Sequence, residues 1–253
     1  MRYGIFGGTF DPFTPAHYEI VNKVLEGKLV DKVIVLPTIV DYYHIDKARM
    51  FTYEERLAII KKWFEGNDNV IVDDFEYKYL KYDPERSKCR MYYDMLHDAI
   101  IRYNFKDSDR YGDNSYATIL GGDSWNDLAN WYAFRLLGKD TEFIVANRDN
   151  CKLANWAEIY DEYENQPLHV FSIPDRIADI SASQYREHLE VVCRSMSMGP
   201  NEPPFDAYLD EIDDYKKSKM TYVDREKEFV DVHQKLINQF RKEKCSQIQR
   251  QPS

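Results

Sequence analysis

The residues most capable of chemistry lie close together near the start of the chain, at Gly7-Gly8, Thr14-Pro15 and His17. Thr14 suits a helix N-cap, and Pro15 suits the first helical position that follows it. The amino end of a helix offers free N–H groups and a positive dipole, and both favour a phosphate group. His17 lies three residues after Thr14, at the same helix end, and can donate a hydrogen bond to a phosphoryl oxygen. The spacing therefore predicts a phosphate-binding loop between a strand and a helix.

Two familiar phosphate motifs are excluded by the residues of this loop. No Gly-Lys-Ser/Thr follows the glycines, so the loop is not a Walker A loop, and the GxGxxG dinucleotide fingerprint is missing as well. Gly7 and Gly8 lack a Cβ, which lets the backbone come close to a bulky ligand. Any one of these features also fits an ordinary turn and a capped helix, but their ordered combination favours phosphate binding.

The elements that must position this loop follow an alternating pattern. Short β-branched or apolar runs predict strands over residues 3–6, 33–36, 70–72, 117–120, 142–146 and 168–171. Apolar residues at helical spacing predict helices over residues 18–25, 53–64, 91–103 and 124–137. Such alternation predicts an α/β fold, a Rossmann-like parallel sheet with helices on both faces, whose ligands bind at the carboxyl ends of the strands.

The C-terminal part of the chain is predicted to be a helical extension, with a helical cap on the body or on a sister subunit as the alternative. A stretch dense in Gly and Pro spans residues 197–204, and apolar residues recur at helical spacing among many charges beyond it. We therefore expect one domain over residues 1–196 and an acidic helical extension over residues 205–246. The remaining residues, 247–253, are expected to fray.

Composition and charge narrow the class of protein. The chain of 253 residues carries a net charge of -10, so nucleic acid and acidic membrane surfaces are disfavoured as partners. The start of the sequence lacks the apolar stretch of a secretory signal, and no run of about 20 apolar residues occurs. The four cysteines lie far apart without a CxxC pair, which favours reduced thiols over a zinc site or disulfides. These features predict a cytoplasmic protein.

Two separated motifs resemble those of a known family. The stretch GGTFDPFTPAH at 7–17 resembles the first signature of the HIGH-type nucleotidylyltransferases, and ISASQYR at 180–186 resembles their ISSTxxR motif. Between them, GGDSW at 121–125 and LANW at 128–131 resemble the G-x-D…L-x-x-W segment of the nicotinate/nicotinamide mononucleotide adenylyltransferases, and FIVANR at 143–148 resembles the strand that follows in that branch. Three positions depart from the usual pattern, with Thr14 for histidine, Ala16 for glycine and Ser183 for threonine.

The resemblance implies adenylyl transfer from ATP to nicotinamide or nicotinate mononucleotide, with formation of NAD or its nicotinate analogue and pyrophosphate. The attacking phosphate is already an anion, so the enzyme has to align two polyanions and offset their repulsion. Mg²⁺ is expected to arrive with ATP, because no cluster of acidic residues predicts a metal site built by the protein. The expected partners are ATP and a pyridine mononucleotide.

The resemblance also assigns roles to individual residues. It implies that His17, Thr14 and Arg186 are catalytic, and that ATP is bound by Gly7, Gly8, Thr9, Phe10, Ser181 and Ser183. It places the mononucleotide against Gly121, Asp123, Trp131 and Arg148, with either His44 or Lys47 reaching the phosphates. Ser183 as a simple helix cap, Asp123 as an N-cap and Trp131 as a core residue are the structural alternatives.

Several questions stay open at the level of sequence. Pantetheine-phosphate adenylyltransferases share both end motifs, and a non-catalytic nucleotide-binding module is a further alternative. The preference between nicotinamide and nicotinate is also undecided, because the two acceptors differ only in an amide against a carboxylate. A homo-oligomer is one of the assembly states left open.

Overall fold

A computed structural model of the protein describes residues 1–39, 50–80, 91–107, 114–148, 152–163, 168–173, 186, 189 and 205–217. The predicted site residues His44, Lys47, Ser181 and Ser183 lie outside these ranges, and of Arg148 only the backbone is described.

The fold is built on a six-stranded parallel sheet. Its strands are β1 (Arg2–Gly8), β2 (Lys32–Pro37), β3 (Val70–Val72), β4 (Ser115–Gly121), β5 (Glu142–Arg148) and β6 (Leu168–Ile173), in the order β3-β2-β1-β4-β5-β6. Each predicted strand lies within one of them, so the predicted α/β fold with a Rossmann-like sheet is confirmed.

Seven α-helices lie within the described ranges. They are α1 (Pro15–Glu26), α2 (Tyr53–Trp63), α3 (Phe75–Leu80), α4 (Tyr92–Asp107), α5 (Gly122–Asn126), α6 (Phe134–Asp140) and α7 (Phe205–Lys217), with short 3-10 turns at Leu128–Asn130, Trp156–Glu158 and Asp161–Tyr163. Thr14 is the N-cap of α1 and Pro15 its first residue, as the sequence predicts. Thr52 caps α2 by accepting a hydrogen bond from the backbone N–H of Glu55.

The single helix predicted over residues 124–137 is wrong. The chain forms α5, then a 3-10 turn, and only later α6. Trp131 adopts an extended backbone, with ψ 142°, and Ala133 has φ 55° in the left-handed region. These two residues interrupt the helix although apolar residues continue at helical spacing across them. Such spacing indicates which side of the chain is buried, but it does not show that the helix is continuous.

The two faces of the sheet carry separate apolar cores. Along β2, Val33 and Val35 belong to one core, while Ile34 and Leu36 belong to the other, as the alternation of side chains along a strand requires. Residues of α1, α2 and α7 complete the first core, and residues of α4, α5 and α6 complete the second. Strands buried on both faces explain the continuous apolar runs of the sequence.

The order of the strands reverses between β1 and β4. The chain leaves β1 toward β2 and β3 on one side, and returns to the other side of β1 through β4. The crevice at the carboxyl ends of two such strands is the usual ligand site of open α/β sheets. The loops after Gly8 and Gly121 therefore flank the expected binding site.

Helix α7 comes from the predicted C-terminal extension and packs on the body of the protein. Tyr208 and Ile212 are completely buried in the first core. The helical character predicted for this part of the chain is thus seen over Phe205–Lys217. The domain boundaries stay a prediction, and residues 218–246 lie outside the described ranges. In the described part of the chain, no helix combines the length and apolar character needed to cross a bilayer.

Candidate active site

The end of β1 and the start of the loop after it are packed tightly by the protein's own side chains. A Cβ on Gly7 would lie 2.6 Å from Cε2 of Tyr92 and 2.7 Å from Cε of Met95, both on α4. A Cβ on Gly8 would lie 3.0 Å from the ring of Phe10, whose φ of 49° is in the left-handed region. The space expected for a ligand beside Gly7 is therefore filled by α4, and the glycine is required by packing. Contact between ATP and the backbone of Gly7, Gly8, Thr9 and Phe10 stays a prediction.

His17 is held at the amino end of α1 by Thr14. The backbone N–H of Thr14 donates to Nδ1 of His17 at 2.9 Å, and Oγ1 of Thr14 lies 2.9 Å from the same nitrogen. An imidazole nitrogen that accepts from a backbone N–H carries no proton, so the proton of the neutral ring is on Nε2. Through these contacts the fully buried Thr14 orients His17. Direct contact of Thr14 with a phosphate stays a prediction.

The surroundings of His17 keep the ring neutral. Phe6, Phe10 and Phe13 have ring centroids 5.9, 5.2 and 5.1 Å from that of the imidazole. Burial lowers the pKa of His17 to about 4, and the nearby Asp123 carboxylate opposes this by raising it. The ring therefore presents a neutral Nε2–H donor at physiological pH.

The lowered pKa of His17 predicts a loss of stability in mild acid. Between pH 6.5 and 4 the unfolded chain binds a proton at His17 that the folded protein does not, so the free energy of unfolding falls as pH falls. From pH 7 to 4.5 this contribution is about 2 kcal/mol. Urea unfolding of the wild type and of His17→Asn at both pH values measures it. Equal losses in the two proteins would contradict the assignment.

Asp123 brings the loop after β4 to the loop after β1. It lies on the exposed first turn of α5 and is close enough to His17 to affect its pKa. A Cβ on Gly121 would lie 2.6 Å from Oδ1 of Asp123, so glycine at 121 leaves room for the carboxylate to fold back over the strand end. Gly121, and not Asp123, is the N-cap of α5, so the alternative of Asp123 as an N-cap is wrong.

Trp131 follows Asp123 along the chain and lies between α5 and α6. It is half-buried, and its ring centroid is 4.9 Å from that of Tyr92 at an angle of 60°. Tyr92 also touches Gly7, and it thus connects Trp131 with the end of β1. Trp131 contacts the edge of the second core without being enclosed in it.

Arg186 joins the second predicted motif to the first. Its Nη1 donates to the backbone carbonyl of Asp11 at 2.5 Å, across 175 residues of sequence. The Asp11 carboxylate in turn accepts from the backbone N–H groups of Met50 and Phe51, each at 3.0 Å. The two motifs therefore meet at one loop, three residues before the Thr14 cap.

Arg56 is a positioning residue that the motifs of the sequence do not predict. It is almost completely buried, and its Nη1 donates to the carbonyl of Thr38 at 2.8 Å and also to the carbonyl of Thr9. One guanidinium thus ties the loop after β2 to the loop after β1. Its burial could have been inferred from the helical spacing, which places Arg56 on the same face of α2 as Tyr53, Ile60 and Trp63.

A match to a known family covers the part of the chain that holds these elements. Residues 5–188, which include both motifs and the whole sheet except the first three residues of β1, match the family described as cytidylyltransferase-like. The chain belongs to this family. The match ends before α7, so that helix lies outside the part of the chain that defines family membership.

Relatives within the family carry the name that the motifs suggested. A protein of Aliarcobacter butzleri, described as a probable nicotinate-nucleotide adenylyltransferase, is 30% identical over 157 residues, which cover 60% of this chain and 74% of the relative. A protein of Fusobacterium nucleatum with the same description is 28% identical over 191 residues, covering 75% of this chain and 88% of the relative. The resemblance stated from the motifs is confirmed.

Solved structures share the fold. Plasmodium falciparum nicotinic acid mononucleotide adenylyltransferase complexed with NaAD superposes with a TM-score of 0.57 at 20% identity, over 74% of this chain and 83% of that one. The same enzyme complexed with APC gives a TM-score of 0.58 at 18% identity, over 85% and 96%. At such low identity the likeness supports the architecture alone.

Proposed function

We propose that the protein transfers the adenylyl group of ATP to nicotinate mononucleotide. A phosphate oxygen of the mononucleotide forms a bond to the α-phosphorus of ATP, the bond from that phosphorus to the bridging oxygen of the β-phosphate breaks, and pyrophosphate leaves. The observation that carries the proposal is the hydrogen bond from Arg186 to Asp11, which brings the second motif to the loop that ends at Thr14 and His17. The names of the relatives support nicotinate as the acceptor.

The residues of the site suit the charges of this reaction. The neutral Nε2–H of His17 and the guanidinium of Arg186 supply donors for phosphate oxygens whose charge grows as pyrophosphate leaves. A neutral imidazole costs less to bury than a charged one, and it still donates. No general base is needed, because the attacking phosphate is already ionised.

We also propose that Mg²⁺ enters as part of the substrate, bound to ATP. Within the described ranges no group of three or more His, Cys, Asp or Glu side chains could hold a metal ion. The exposed carboxylate of Asp123 is a hard oxygen ligand beside the site, and Mg²⁺ commonly takes one or two carboxylates together with substrate phosphates. The ion would neutralise charge on the phosphates.

A side-by-side assay of acceptors tests the function. Purified protein receives MgATP with nicotinate mononucleotide, nicotinamide mononucleotide or pantetheine phosphate, and pyrophosphate release is measured. We expect the highest kcat/KM with nicotinate mononucleotide. Preference for pantetheine phosphate would assign the protein to the other branch, and ATP binding without pyrophosphate release would make it a nucleotide-binding module.

Trp131→Ala is expected to weaken binding of the mononucleotide and to spare ATP. Stacking of an aromatic side chain on a base is worth about 1–3 kcal/mol, so KM for the mononucleotide should rise about tenfold or more. Trp131→Phe should recover part of the loss because it keeps a flat ring. The neighbouring Tyr132, which is 59% exposed, provides the matched control as Tyr132→Ala. An equal rise in KM for ATP would contradict the stacking role.

A further inference from the structure

Helix α7 reaches the phosphate loop through one carbonyl oxygen. The Tyr208 hydroxyl donates to the backbone carbonyl of Phe13, and Nε1 of Trp63 donates to the same oxygen at 3.1 Å. Tyr208 and Phe13 are both completely buried, and Nε1 of Trp63 also lies 3.3 Å from the Tyr208 hydroxyl. The carbonyl that precedes Thr14 is thus held by two donors, one from α2 and one from α7.

The peptide bond that carries this carbonyl also carries the N–H that holds His17. The C=O of Phe13 and the N–H of Thr14 belong to one planar unit, and in a trans peptide they point in opposite directions. On one side the carbonyl accepts from Tyr208 and Trp63; on the other side the N–H donates to Nδ1 of His17. Fixing the direction of the carbonyl therefore fixes the direction of the N–H.

Hydrogen bonds on the two ends of one peptide also strengthen each other. A carbonyl that accepts hydrogen bonds polarises the peptide and makes its N–H a better donor. A stronger donor at Thr14 favours the form of His17 whose Nδ1 is bare and whose proton is on Nε2. That form is the one needed to donate to a phosphate from Nε2.

The rest of α7 forms hydrogen bonds with α1 and α2. The Tyr215 hydroxyl donates to Oε1 of Glu19 on α1 at 2.9 Å, and Nζ of Lys216 donates to the carbonyl of Lys62 on α2 at 3.0 Å. Lys62 also pairs with Asp213 at 2.9 Å. These contacts fix the position of the helix without touching the Phe13–Thr14 peptide.

We propose that α7 belongs to the catalytic unit, with Tyr208 as a positioning residue that sets the proton position and orientation of His17 through the Phe13–Thr14 peptide. The proposal rests on the proposed function, in which His17 donates to a phosphate. It assigns a role to a helix that lies outside the residues matched by the family.

The test compares Tyr208→Phe with Tyr215→Phe in the full chain. Each variant removes one hydroxyl from α7 and keeps the aromatic ring. Of these two hydroxyls, that of Tyr208 donates to the Phe13 carbonyl and that of Tyr215 donates to Glu19. The first readout is the ¹⁵N signal of the His17 ring, assigned by its loss in His17→Asn. In Tyr208→Phe the Nδ1 signal should move toward that of a protonated nitrogen, as the second tautomer becomes populated, while Tyr215→Phe keeps the wild-type signal.

The second readout is kinetic. Tyr208→Phe removes one of the hydrogen bonds that orient the Phe13–Thr14 peptide, and it should lower kcat about fivefold. Tyr215→Phe leaves that peptide unchanged and should lower kcat less than twofold. An unchanged Nδ1 signal in Tyr208→Phe, or the same change in both variants, would overturn the proposal. If the wild type released pyrophosphate with none of the acceptors, the proposed function would fail, yet the ¹⁵N comparison would still decide the role of Tyr208.

Discussion

His17→Ala is expected to lower kcat for pyrophosphate release about 10²- to 10³-fold, the usual effect of removing one pre-oriented donor from a developing negative charge. The structure gives two reasons for so large an effect. The Nε2–H is already placed by the contact of Nδ1 with Thr14, and the rings of Phe10 and Phe13 pack against the imidazole and hold its orientation. KM for ATP should change less than kcat, because the contact strengthens as pyrophosphate leaves.

A second variant separates the two nitrogens of His17. In His17→Asn the side-chain oxygen can still accept from the Thr14 N–H, so the cap of α1 is kept, whereas the donor at the position of Nε2 is lost. We expect this variant to be nearly as inactive as His17→Ala and more stable toward urea. The exposed His97 on α4 serves as the control, and His97→Ala should keep wild-type rates. Activity in His17→Asn close to that of the wild type would refute the assignment of Nε2 as the donor.

Arg56→Met is expected to cause the largest loss of stability among single substitutions at the site. The variant leaves the buried carbonyl of Thr38 and the partly buried carbonyl of Thr9 without their charged donor, and a hydrogen bond to a charged group contributes about 1.5–3 kcal/mol. We expect the free energy of unfolding in urea to fall by about 3 kcal/mol. KM for ATP should also rise, since Thr9 lies in the loop predicted to bind phosphate.

Arg135 provides the matched control for this substitution. It pairs with Glu162 at 3.0 Å, but its side chain is 57% exposed, and exposed ion pairs contribute about 0–1 kcal/mol. Arg135→Met should therefore unfold close to the wild-type urea concentration. Similar stability of the two variants would show that Arg56 does not hold the loops together.

The sheet could be predicted from the sequence because its strands are buried on both faces. Short β-branched runs such as VIVL at 33–36 are typical of such strands, and Pro37 marks where that run ends. The helices were harder to delimit, since apolar spacing continued past Trp131 and Ala133 although the backbone turns there. Local pattern thus identified the buried side of each element better than its ends.

Spacing alone could predict the candidate site only where its residues are neighbours in sequence, and the family resemblance was needed to assign Arg186 and Asp123 to it. The contact of Thr14 with His17 follows from their spacing in one helix turn. The contacts of Arg186 with Asp11 and of Tyr208 with Phe13 depend on how distant elements fold together, and no spacing rule contains them. Gly7 shows the same limit, because its missing Cβ was assigned to a ligand while Tyr92 fills the space.

The attachment of α7 to α1 and α2 has a consequence for the order in which the protein matures during synthesis. Phe13 leaves the ribosome long before Tyr208, which follows it by 195 residues. The apolar core on the face of the sheet covered by α1 and α2 is therefore completed last, after Tyr208 and Ile212 have emerged. Nascent chains that end before residue 205 should close the core on the face covered by α4, α5 and α6 while α1 and α2 remain open to proteases.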